Sequence, residues 1–424
     1  MTGHGDTGAS WSARRWTQLR PVLLPLLKRG LALWAVFEAA AVTILELTWL
    51  ARRQRYRHQY IGHPDFTSVT VGQNRLLLYA DGEDLFPDML AAIRTAREAV
   101  YLESFIFRDD AIGRAFKAEL SARADAGVDV YVLVDGFATL LEPARFKRFP
   151  KNVHTLAYTP FRQPWDVIDL RHYAFEHRKL LVADGRVGFI GGFNIADANS
   201  VSWRDTQLRI EGPAAAELAG EFEHFWSWLA PKQRIERRYR RTLDPLIRVL
   251  GTDAHRMTFP IRNMYMEAVE RAERRIWLTN PYFVPDPALL DELKAAGRRG
   301  VDVRVLLPWQ SNHGAIDWLS RGNFSACLAA GIRIFGYDGM IHAKTCTVDG
   351  VWSTIGTANL DRLSSAGNYE INVEVYSEAL ASQMEALFES DARKATEITA
   401  EAWARRPATL RLGETLIAPL RVLA

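Results

Sequence analysis

The distribution of apolar and polar residues from about residue 65 onwards predicts strands that alternate with helices. Residues 99–107 are rich in β-branched and aromatic side chains, which is typical of a buried strand. Helical spacing follows over 111–126, Gly127 ends it, and residues 128–134 have the pattern of another buried strand. A strand, a helix and a strand in this order predict parallel sheets covered by helices, which places the chain in the α/β class.

The same succession occurs a second time further along the chain. Strand patterns at 275–283 and 300–307 flank a helical pattern at 287–298. Gly127 and Gly300 each begin the sequence Gly-Val-Asp-Val, and the two occurrences are 173 residues apart. This repetition predicts two fused halves of similar structure. We expect an N-terminal segment, a first half, a basic linker, a second half and a C-terminal tail, at residues 1–60, 61–230, 231–255, 256–400 and 401–424 respectively.

Two stretches outside the repeated pattern have their own character. Residues 232–241 are polar and basic and lack an apolar stripe that could face a core. This favours a solvated linker over the alternative, a segment that contacts anionic headgroups or phosphates. Residues 378–404 have the pattern of one helix, and a weakly apolar tail follows.

The N-terminal region contains an apolar run, residues 31–51, that is long enough for a helix to cross a bilayer. Glu38 and Glu46 interrupt this run, and arginine and lysine residues flank it on both sides. The flanking charge favours a helix embedded in the surface of an anionic leaflet over a transmembrane span or a core helix. No small-residue cleavage pattern follows, so a cleaved signal peptide is not expected. We therefore predict an N-terminal membrane-associated helix.

Composition limits the possible classes of protein. Of 424 residues, 48% are hydrophobic and 24% are charged, which is a globular balance and argues against disorder over most of the chain. The net charge of +3 is too small to indicate a polyanionic partner by itself. Cys327 and Cys346 are the only cysteines and lack the spacing of metal ligands, so we expect no disulfide framework and a reducing, cytoplasm-facing compartment.

The strongest chemical signal is a motif that occurs twice, His-x-Lys-x4-Asp. The two copies begin at His177 and His342, which are 165 residues apart. In each copy an asparagine stands seventeen residues after the histidine, and a carboxylate stands eleven residues after the asparagine. The two sets of five are His177, Lys179, Asp184, Asn194 and Asp205, and His342, Lys344, Asp349, Asn359 and Glu370.

The spacing within each copy predicts where the side chains lie and which of them are chemical and which structural. Residues i and i+2 of an extended strand share a face, so each histidine and its lysine are expected to point the same way. Asp184 and Asp349 each precede a glycine at the following turn, where a structural role is favoured over chemistry. The carboxylates Asp205 and Glu370 can accept the proton of an imidazole and fix its tautomer.

The chemistry requires the two copies to meet in one site. One imidazole would attack a phosphorus atom while the other protonates the leaving oxygen from the opposite side, as in-line displacement demands. Two lysines and two asparagines can neutralise a phosphodiester without a divalent ion. The sequence has neither an acidic cluster typical of magnesium sites nor a His-Glu-x-x-His zinc motif, so we predict no metal and no other cofactor.

The double motif resembles the signature of the phospholipase D superfamily, and the similarity covers about residues 65–395. The neighbouring sequences narrow the resemblance to the bacterial cardiolipin synthase branch. They are the segments at residues 189–194, 203–205, 209–213, 282–285 and 356–361. The resemblance implies two α/β/α sandwich halves related by a pseudo-twofold axis. It also implies a phosphatidyl-histidine intermediate and transfer of the phosphatidyl group from one phosphatidylglycerol to another, with release of glycerol.

The resemblance also implies roles for individual residues. His177 would be the nucleophile and His342 the general acid and then the base, although the duplicated geometry also permits the reverse order. The catalytic set would comprise the two His-Lys-Asp motifs, including Asp184 and Asp349. Lys179, Lys344, Asn194, Asn359 and the hydroxyl of Thr357 would bind phosphate, while Asp205 and Glu370 would orient the histidines. Two departures from the family pattern are Gly192, which stands where the second copy has Thr357, and the absence of a clean pair of N-terminal spans.

Several functions use such a site. The first alternative is a phospholipase D-type hydrolase or another phosphatidyltransferase, the second is a phosphodiester nuclease, and the third is a catalytically silent membrane scaffold. The apolar N-terminal run and the modest net charge argue against nucleic acid as a partner. We expect phospholipid substrates (phosphatidylglycerol and possibly phosphatidylethanolamine), contact with an anionic membrane surface, and a location at the bacterial cytoplasmic membrane with the catalytic part facing the cytoplasm.

Overall fold

A computed structural model describes residues 62–159, 174–197, 203–236, 238–239 and 244–417. The predicted membrane-associated helix at 31–51 lies outside these residues. In the part that is described, no helix is both long enough and apolar enough to cross a bilayer.

The described residues contain eighteen strands, β1 to β18 in chain order. Those of the first half are β1 Val69–Val71, β2 Asn74–Tyr79, β3 Ala99–Ser104, β4 Asp129–Asp135, β5 Val153–Tyr158, β6 Leu180–Ala183, β7 Val187–Gly191, β8 Trp203–Arg204 and β9 Gln207–Glu211. Those of the second half are β10 Ile247–Gly251, β11 Arg275–Thr279, β12 Asp302–Pro308, β13 Arg333–Tyr337, β14 Met340–Ile341, β15 Thr345–Val348, β16 Trp352–Gly356, β17 Ile371–Tyr376 and β18 Ala395–Ile398.

The helices are numbered in the same way. They are α1 Gly82–Thr95, α2 Ala111–Asp125, α3 Ala144–Lys147, α4 Pro213–Leu229, α5 Pro260–Glu270, α6 Pro287–Arg298, α7 Gly314–Ala329, α8 Arg362–Ala366, α9 Glu378–Ala392, α10 Ala400–Ala404 and α11 Ala408–Ile417, with a 3₁₀ turn at Pro231–Gln233.

Sixteen of these strands form two eight-stranded sheets that repeat one order, and β8 and β14 form a separate two-stranded pair. The first sheet runs β1-β2-β9-β7-β6-β3-β4-β5 and the second runs β10-β17-β16-β15-β11-β12-β13-β18. Seven strands of one sheet correspond to seven of the other, from β2 and β10 through to β5 and β13. The α/β class and the duplication predicted from the sequence are therefore confirmed.

The sheets are mixed and not wholly parallel, which corrects the prediction. Strands β3, β4 and β5 are parallel, as the strand-helix-strand pattern requires, but β6, β7 and β9 are antiparallel to their neighbours. The second sheet repeats this arrangement with β11 to β13 and β15 to β17. The reason is that the motif strands β6 and β7 are joined by a tight turn, which allows only an antiparallel pair.

The geometry of that turn is the same in both copies and explains the aspartate of each motif. Asp184 and Asp349 have φ values of 52° and 54°, and the glycines that follow them also have positive φ. This is the conformation of a tight hairpin, in which Asp-Gly is favoured. The carboxylate of Asp349 accepts hydrogen bonds of 2.8–2.9 Å from the N–H groups of residues 273, 274 and 275, at the start of β11. The carboxylate of Asp184 does the same at the start of β3, for residues 97, 98 and 99.

The largest hydrophobic core lies between the halves. It includes Leu218, Phe222 and Trp226 of α4 together with Ile371 and Val373 of β17. Separate cores cover the outer faces, where α1 and α2 pack on the first sheet and α5, α6 and α7 pack on the second. Because the central core draws side chains from both repeats, the two halves are held as one unit.

Two boundaries differ from the prediction. Strand β10 lies inside the range expected to be a linker, and it pairs with β17, so the second half begins before residue 256. The helix expected at 378–404 ends at Ala392, and residues 395–398 form β18 on the free edge of β13. Pairing with β18 satisfies the backbone groups at the open edge of β13, which a continued helix would leave exposed. Across that edge the guanidinium of Arg333 donates two hydrogen bonds of 2.8 Å to the carboxylate of Glu397.

The turn geometry leads to a prediction about stability. Asp349→Ala removes an acceptor for three backbone N–H groups and a residue that tolerates positive φ, so we expect the free energy of unfolding to fall by about 1–2 kcal/mol. Asp349→Asn keeps one acceptor oxygen and the turn preference, and should lose less. Urea denaturation of both variants measures the difference, with Asp184→Ala as the matched variant in the first half.

Activity measurements on the same variants distinguish a structural role of Asp349 from a catalytic one. The activity per folded molecule of Asp349→Asn should remain within a few-fold of the parent, because the carboxylate is engaged with backbone. Unchanged stability together with loss of activity would contradict the structural role and return Asp349 to the catalytic machinery.

Candidate active site

The two motif histidines lie on extended segments that lead into β6 and β15. Each strand begins one residue after the motif lysine, at Leu180 and Thr345. The ammonium group of Lys179 donates a 2.7 Å hydrogen bond to the carbonyl of His177, and Lys344 donates to the carbonyl of His342 in the same way. Each lysine is thereby linked to the backbone of its own histidine.

The backbone of each histidine is bound to the opposite half. The N–H of His177 donates to the carbonyl of Tyr369 at 3.0 Å, and the N–H of His342 donates to the carbonyl of Arg204 at 2.7 Å. The second contact belongs to a short parallel pair between β8 and β14. Tyr369 and Arg204 each directly precede an orienting carboxylate, so the pairing sets the register of the side chains as well.

The side chains make the same exchange between the halves. Nδ1 of His177 lies 3.0 Å from both carboxylate oxygens of Glu370, and Nδ1 of His342 lies 2.6 Å from Oδ2 of Asp205. The imidazole of each repeat is therefore held by the carboxylate of the other repeat. The sequence grouped each carboxylate with the histidine of its own copy and gave no signal for this exchange.

The two carboxylates are supported differently. Glu370 accepts hydrogen bonds from the hydroxyls of Thr357 at 2.6 Å and Ser364 at 2.7 Å, in addition to His177. Asp205 accepts from the N–H of Thr206 at 2.8 Å. A Cβ atom on Gly192 would collide with the carboxylate of Asp205, so glycine is required where the second copy has threonine.

The hydrogen bonds of Thr357 correct its assignment to the predicted phosphate-binding set. Its hydroxyl hydrogen is donated to Glu370, and its oxygen accepts the N–H of Ile371 at 2.9 Å. With both functions occupied, the side chain orients Glu370, and through it His177, and does not face a phosphate.

Burial favours the neutral form of both imidazoles. Burial lowers the pKa of His177 to about 4 and that of His342 to about 3, and the neighbouring carboxylates only partly oppose this. Burial also disfavours charge on Asp205 and Glu370, but the histidines and lysines beside them hold both pKa values below the ordinary range. Since Nδ1 of each ring carries the proton shared with a carboxylate, Nε2 is the free atom that can act as nucleophile or base.

The lysines and asparagines supply donors for an anion. Lys179 and Lys344 are buried, and desolvation lowers their pKa values to about 8 and about 7. Oδ1 of Asn194 accepts the N–H of Ile106 at 3.1 Å, which leaves its amide N–H group as the available donor. Oδ1 of Asn359 is buried without a hydrogen-bond partner among the residues that the structure describes.

The electrostatics place both copies in one site. The pKa of His177 is lowered by Lys344 as well as by Lys179, and that of His342 by Lys179 as well as by Lys344. The pKa of Lys179 responds in turn to both Glu370 and Asp205. Interactions of this kind require the charged groups of the two repeats to lie close together.

Asp184 and Asp349 are not in this site. Both carboxylates bind backbone N–H groups at the start of β3 and β11, at the hairpin ends of β6 and β15. Their inclusion in the catalytic set is therefore corrected, and the structural role favoured by their position before a glycine stands.

Several neighbours of the site were missed. The ring of Phe105 lies 4.8 Å from that of His177 and 5.3 Å from the ammonium of Lys179. The ring of Trp203 lies 5.1 Å from that of His342. A position just beyond the end of a parallel strand was the available signal for Phe105, because ligands bind at that edge of α/β sheets.

One possible metal-ligating group occurs in the described parts of the chain, and it contains no residue of the repeated motifs. It consists of His63, Asp81 and Asp84. Nε2 of His63 and Oδ2 of Asp81 are 2.6 Å apart, and burial lowers the pKa of His63 less than Asp81 raises it. A charge-assisted hydrogen bond therefore accounts for the cluster.

The chain is similar in sequence to known proteins. A family model described as cardiolipin synthase, PLD-like domain, matches residues 89–226 and 265–392, which is more than half of the chain. The cardiolipin synthase of Staphylococcus aureus is 32% identical over 358 residues, covering 80% of this chain and 72% of that protein. The cardiolipin synthase of Clostridium perfringens is 31% identical over 369 residues, covering 82% and 77%.

Among solved structures, phosphatidylserine synthase from Haemophilus influenzae matches with a TM-score of 0.64 at 12% identity, covering 84% of this chain and 95% of that one. At this identity the match shows a shared fold only. The family match and the two sequence relatives confirm the resemblance indicated by the repeated motif. The chain belongs to the cardiolipin synthase family of phospholipase D-like proteins.

Proposed function

We propose that this protein makes cardiolipin by transferring a phosphatidyl group from one phosphatidylglycerol to the terminal hydroxyl of another, with release of glycerol. The observation that carries the proposal is the pair of neutral imidazoles, each held at Nδ1 by a carboxylate of the opposite half. A phosphatidyltransferase requires one nucleophile and one proton carrier at the same phosphorus, and this pair offers both.

In the first step Nε2 of His177 attacks phosphorus, and the bond between phosphorus and the glycerol oxygen breaks. His342, charged by a proton that the bound phosphate anion stabilises, gives that proton to the departing oxygen. We assign the nucleophile to His177 because its side chain is 11% exposed, whereas that of His342 is 5% exposed. The product is a phosphatidyl-histidine and free glycerol.

In the second step the hydroxyl of another phosphatidylglycerol gives its proton to Nε2 of His342 and attacks the phosphorus. The phosphorus–nitrogen bond breaks, and His177 returns to its neutral form. Lys179, Lys344 and the amide groups of Asn194 and Asn359 would stabilise the phosphate oxygens in both steps, where negative charge accumulates. Because water competes with the second lipid, transfer needs the site to be closed to water while the intermediate lasts.

The substrates are membrane lipids, so the proposed location is the bacterial cytoplasmic membrane with the catalytic part facing the cytoplasm. Both cysteines are unpaired and buried, which supports a reducing compartment. Phosphatidylethanolamine is a second possible donor, since the lysines and asparagines would contact the phosphate that all phospholipids share.

The lipid products provide the first test. Purified full-length protein given labelled phosphatidylglycerol should form cardiolipin and glycerol in equal amounts, as measured by thin-layer chromatography and a glycerol assay. Addition of phosphatidylethanolamine shows whether a second donor is accepted. Phosphatidic acid without cardiolipin would contradict the proposal in favour of a hydrolase, and faster nicking of plasmid DNA than lipid turnover would favour a nuclease.

The second test assigns the histidines, using a phosphatidyl ester of p-nitrophenol whose leaving group needs no proton. His342→Ala should release about one equivalent of p-nitrophenol per enzyme and then stall, because no base activates the acceptor. His177→Ala should give no burst. Asp205→Asn should resemble His342→Ala, and Glu370→Gln should resemble His177→Ala, with losses of about 10²- to 10⁴-fold in the affected step.

The pattern of bursts is decisive in either direction. A burst in His177→Ala but not in His342→Ala would reverse the roles of the two histidines. Equal behaviour of Asp205→Asn and Glu370→Gln would contradict the exchange of carboxylates between halves, and absence of a burst in every variant would contradict a covalent intermediate.

The third test is the dependence of kcat/KM on pH. The need for a proton on His342 should make activity decline gradually with rising pH, and the decline should steepen above about pH 7–8, because Lys344 and then Lys179 lose the proton that makes them phosphate donors. It should fall again below about pH 4, where protonation removes the lone pair of His177. Lys344→Arg, whose guanidinium stays charged, should move the alkaline limb towards higher pH. If active Lys344→Arg enzyme kept the parent alkaline limb, the assignment of that limb to Lys344 would be wrong.

A further inference from the structure

The turn that follows β4 exposes a group of apolar side chains. Phe137 and Leu140 are each 63% exposed and Leu141 is 89% exposed. These are three of the nine large apolar side chains that are exposed in the described regions, and they lie within five consecutive residues. Single exposed apolar residues are ordinary, but a contiguous group marks a surface that contacts something else.

The backbone of this turn is well satisfied by hydrogen bonds. Oδ1 of Asp135 accepts from the N–H groups of Phe137 and Ala138 at 2.9 Å, and the hydroxyl of Thr139 donates to the carbonyl of Asp135 at 2.7 Å. The ammonium of Lys147 donates to the carbonyls of residues 139 and 140 at 3.4 and 3.2 Å. A turn whose polar groups are occupied can present its side chains to an apolar phase without exposing unpaired backbone groups.

The residues that follow the apolar group are basic. Arg145, Lys147, Arg148 and Lys151 are all exposed. The acidic residue in the same stretch is Glu142. Its carboxylate forms an ion pair with Arg108 at 2.6 Å and accepts a hydrogen bond from the N–H of residue 109 at 2.8 Å. Among the residues that the structure describes, no carboxylate pairs with these four cations. An apolar tip beside such cations is the combination that binds the surface of an anionic leaflet.

The turn lies next to the active site. Oδ2 of Asp135 accepts the N–H of Glu176 at 3.1 Å, and Glu176 directly precedes His177. The ring of Phe137 lies 5.6 Å from that of Phe175. Parallel strands β3 and β4 end at the same edge of the sheet, and the residue after β3, Phe105, packs on His177. The apolar tip and the nucleophile therefore occupy the same edge.

We infer that residues 137–148 form a membrane-docking loop. Phe137, Leu140 and Leu141 enter the boundary between headgroups and acyl chains of an anionic leaflet, and Arg145 and Arg148 contact lipid phosphates. The loop would set the catalytic edge against the bilayer, so that a lipid headgroup reaches His177 without leaving the membrane. The choice of lipid as occupant rests on the proposed function, whereas insertion of the loop can be measured without turnover.

The first experiment reads insertion directly. Full-length Leu141→Cys is labelled with an environment-sensitive fluorophore and bound to vesicles of phosphatidylglycerol and phosphatidylethanolamine. Val351→Cys is the matched control, because it follows the Asp349-Gly350 turn at the opposite end of the strands; the native cysteines are buried and should not react. The label at 141 should shift to the blue and be quenched by shallow doxyl-lipids, since interfacial insertion reaches about 5–10 Å.

The second experiment measures the consequence for catalysis. The double variant Leu140→Asp with Leu141→Asp should raise the apparent KM for phosphatidylglycerol in vesicles about tenfold, from the apolar area withdrawn from lipid. Turnover of a short-chain, water-soluble phosphatidylglycerol should not change, because the substituted residues touch neither motif. Val351→Asp should leave both substrates unaffected.

The outcomes separate the two hypotheses. A label at 141 that remains in water on vesicles that are converting phosphatidylglycerol to cardiolipin would refute the docking loop and leave the proposed function intact. A quenched label without cardiolipin formation would support docking and refute the proposed function. Equal increases of KM in the loop variant and in Val351→Asp would also overturn the inference, since the effect would not be specific to the loop.

Discussion

The exchange of imidazole and carboxylate between the halves is the interaction on which the rest of the structure depends. Each half contributes a histidine whose Nδ1 proton is accepted by the other half, at 3.0 Å for Glu370 and 2.6 Å for Asp205. Neither half could orient its own histidine in this way. The continuous core between the sheets, built from α4 and β17, is therefore needed for chemistry as well as for stability, because it fixes the distance across which these bonds form.

The site concentrates buried charge, which is costly unless each group has a partner. Lys179, Lys344, Asp205 and Glu370 are all buried, yet hydrogen bonds reach each of them from the backbone or from a neighbouring side chain. Burial lowers the pKa values of the two lysines and keeps both imidazoles neutral. The two lysines and the two ionised carboxylates balance in charge, so a bound phosphate anion would stabilise the additional proton that His342 carries in the proposed first step.

Much of the fold and most of the site could be predicted from the sequence, because the two copies of the repeat have the same spacing between their motif residues. The strands around 99 and 275, the helix at Pro287–Arg298 and the Asp-Gly turns follow from local patterns, and the family comparison confirms the fold that they indicated. The exchange between His177 and Glu370 could not be predicted, since spacing within one copy carries no information about which copy lies opposite. Edge pairing of β18 was missed for the same reason, because it depends on an open strand that is distant in sequence.

The duplication supplies a symmetric frame, but the reaction is not symmetric. In the proposed reaction one histidine bonds to phosphorus while the other moves a proton, and the frame differs at the positions that support them. Gly192 leaves room for the short side chain of Asp205, whereas Thr357 gives a hydrogen bond to the longer Glu370. His177 therefore interacts with a carboxylate that is shared among several donors, and His342 with one that approaches at 2.6 Å. Burial and the neighbouring Lys344 hold the pKa of His342 to about 3, below that of His177 at about 4, so His342 can carry a proton only once a bound phosphate anion opposes these effects. Because a carboxylate with fewer other donors accepts more of the Nδ1 proton, Asp205 then suits His342 to carrying the proton and leaves His177 to form the bond.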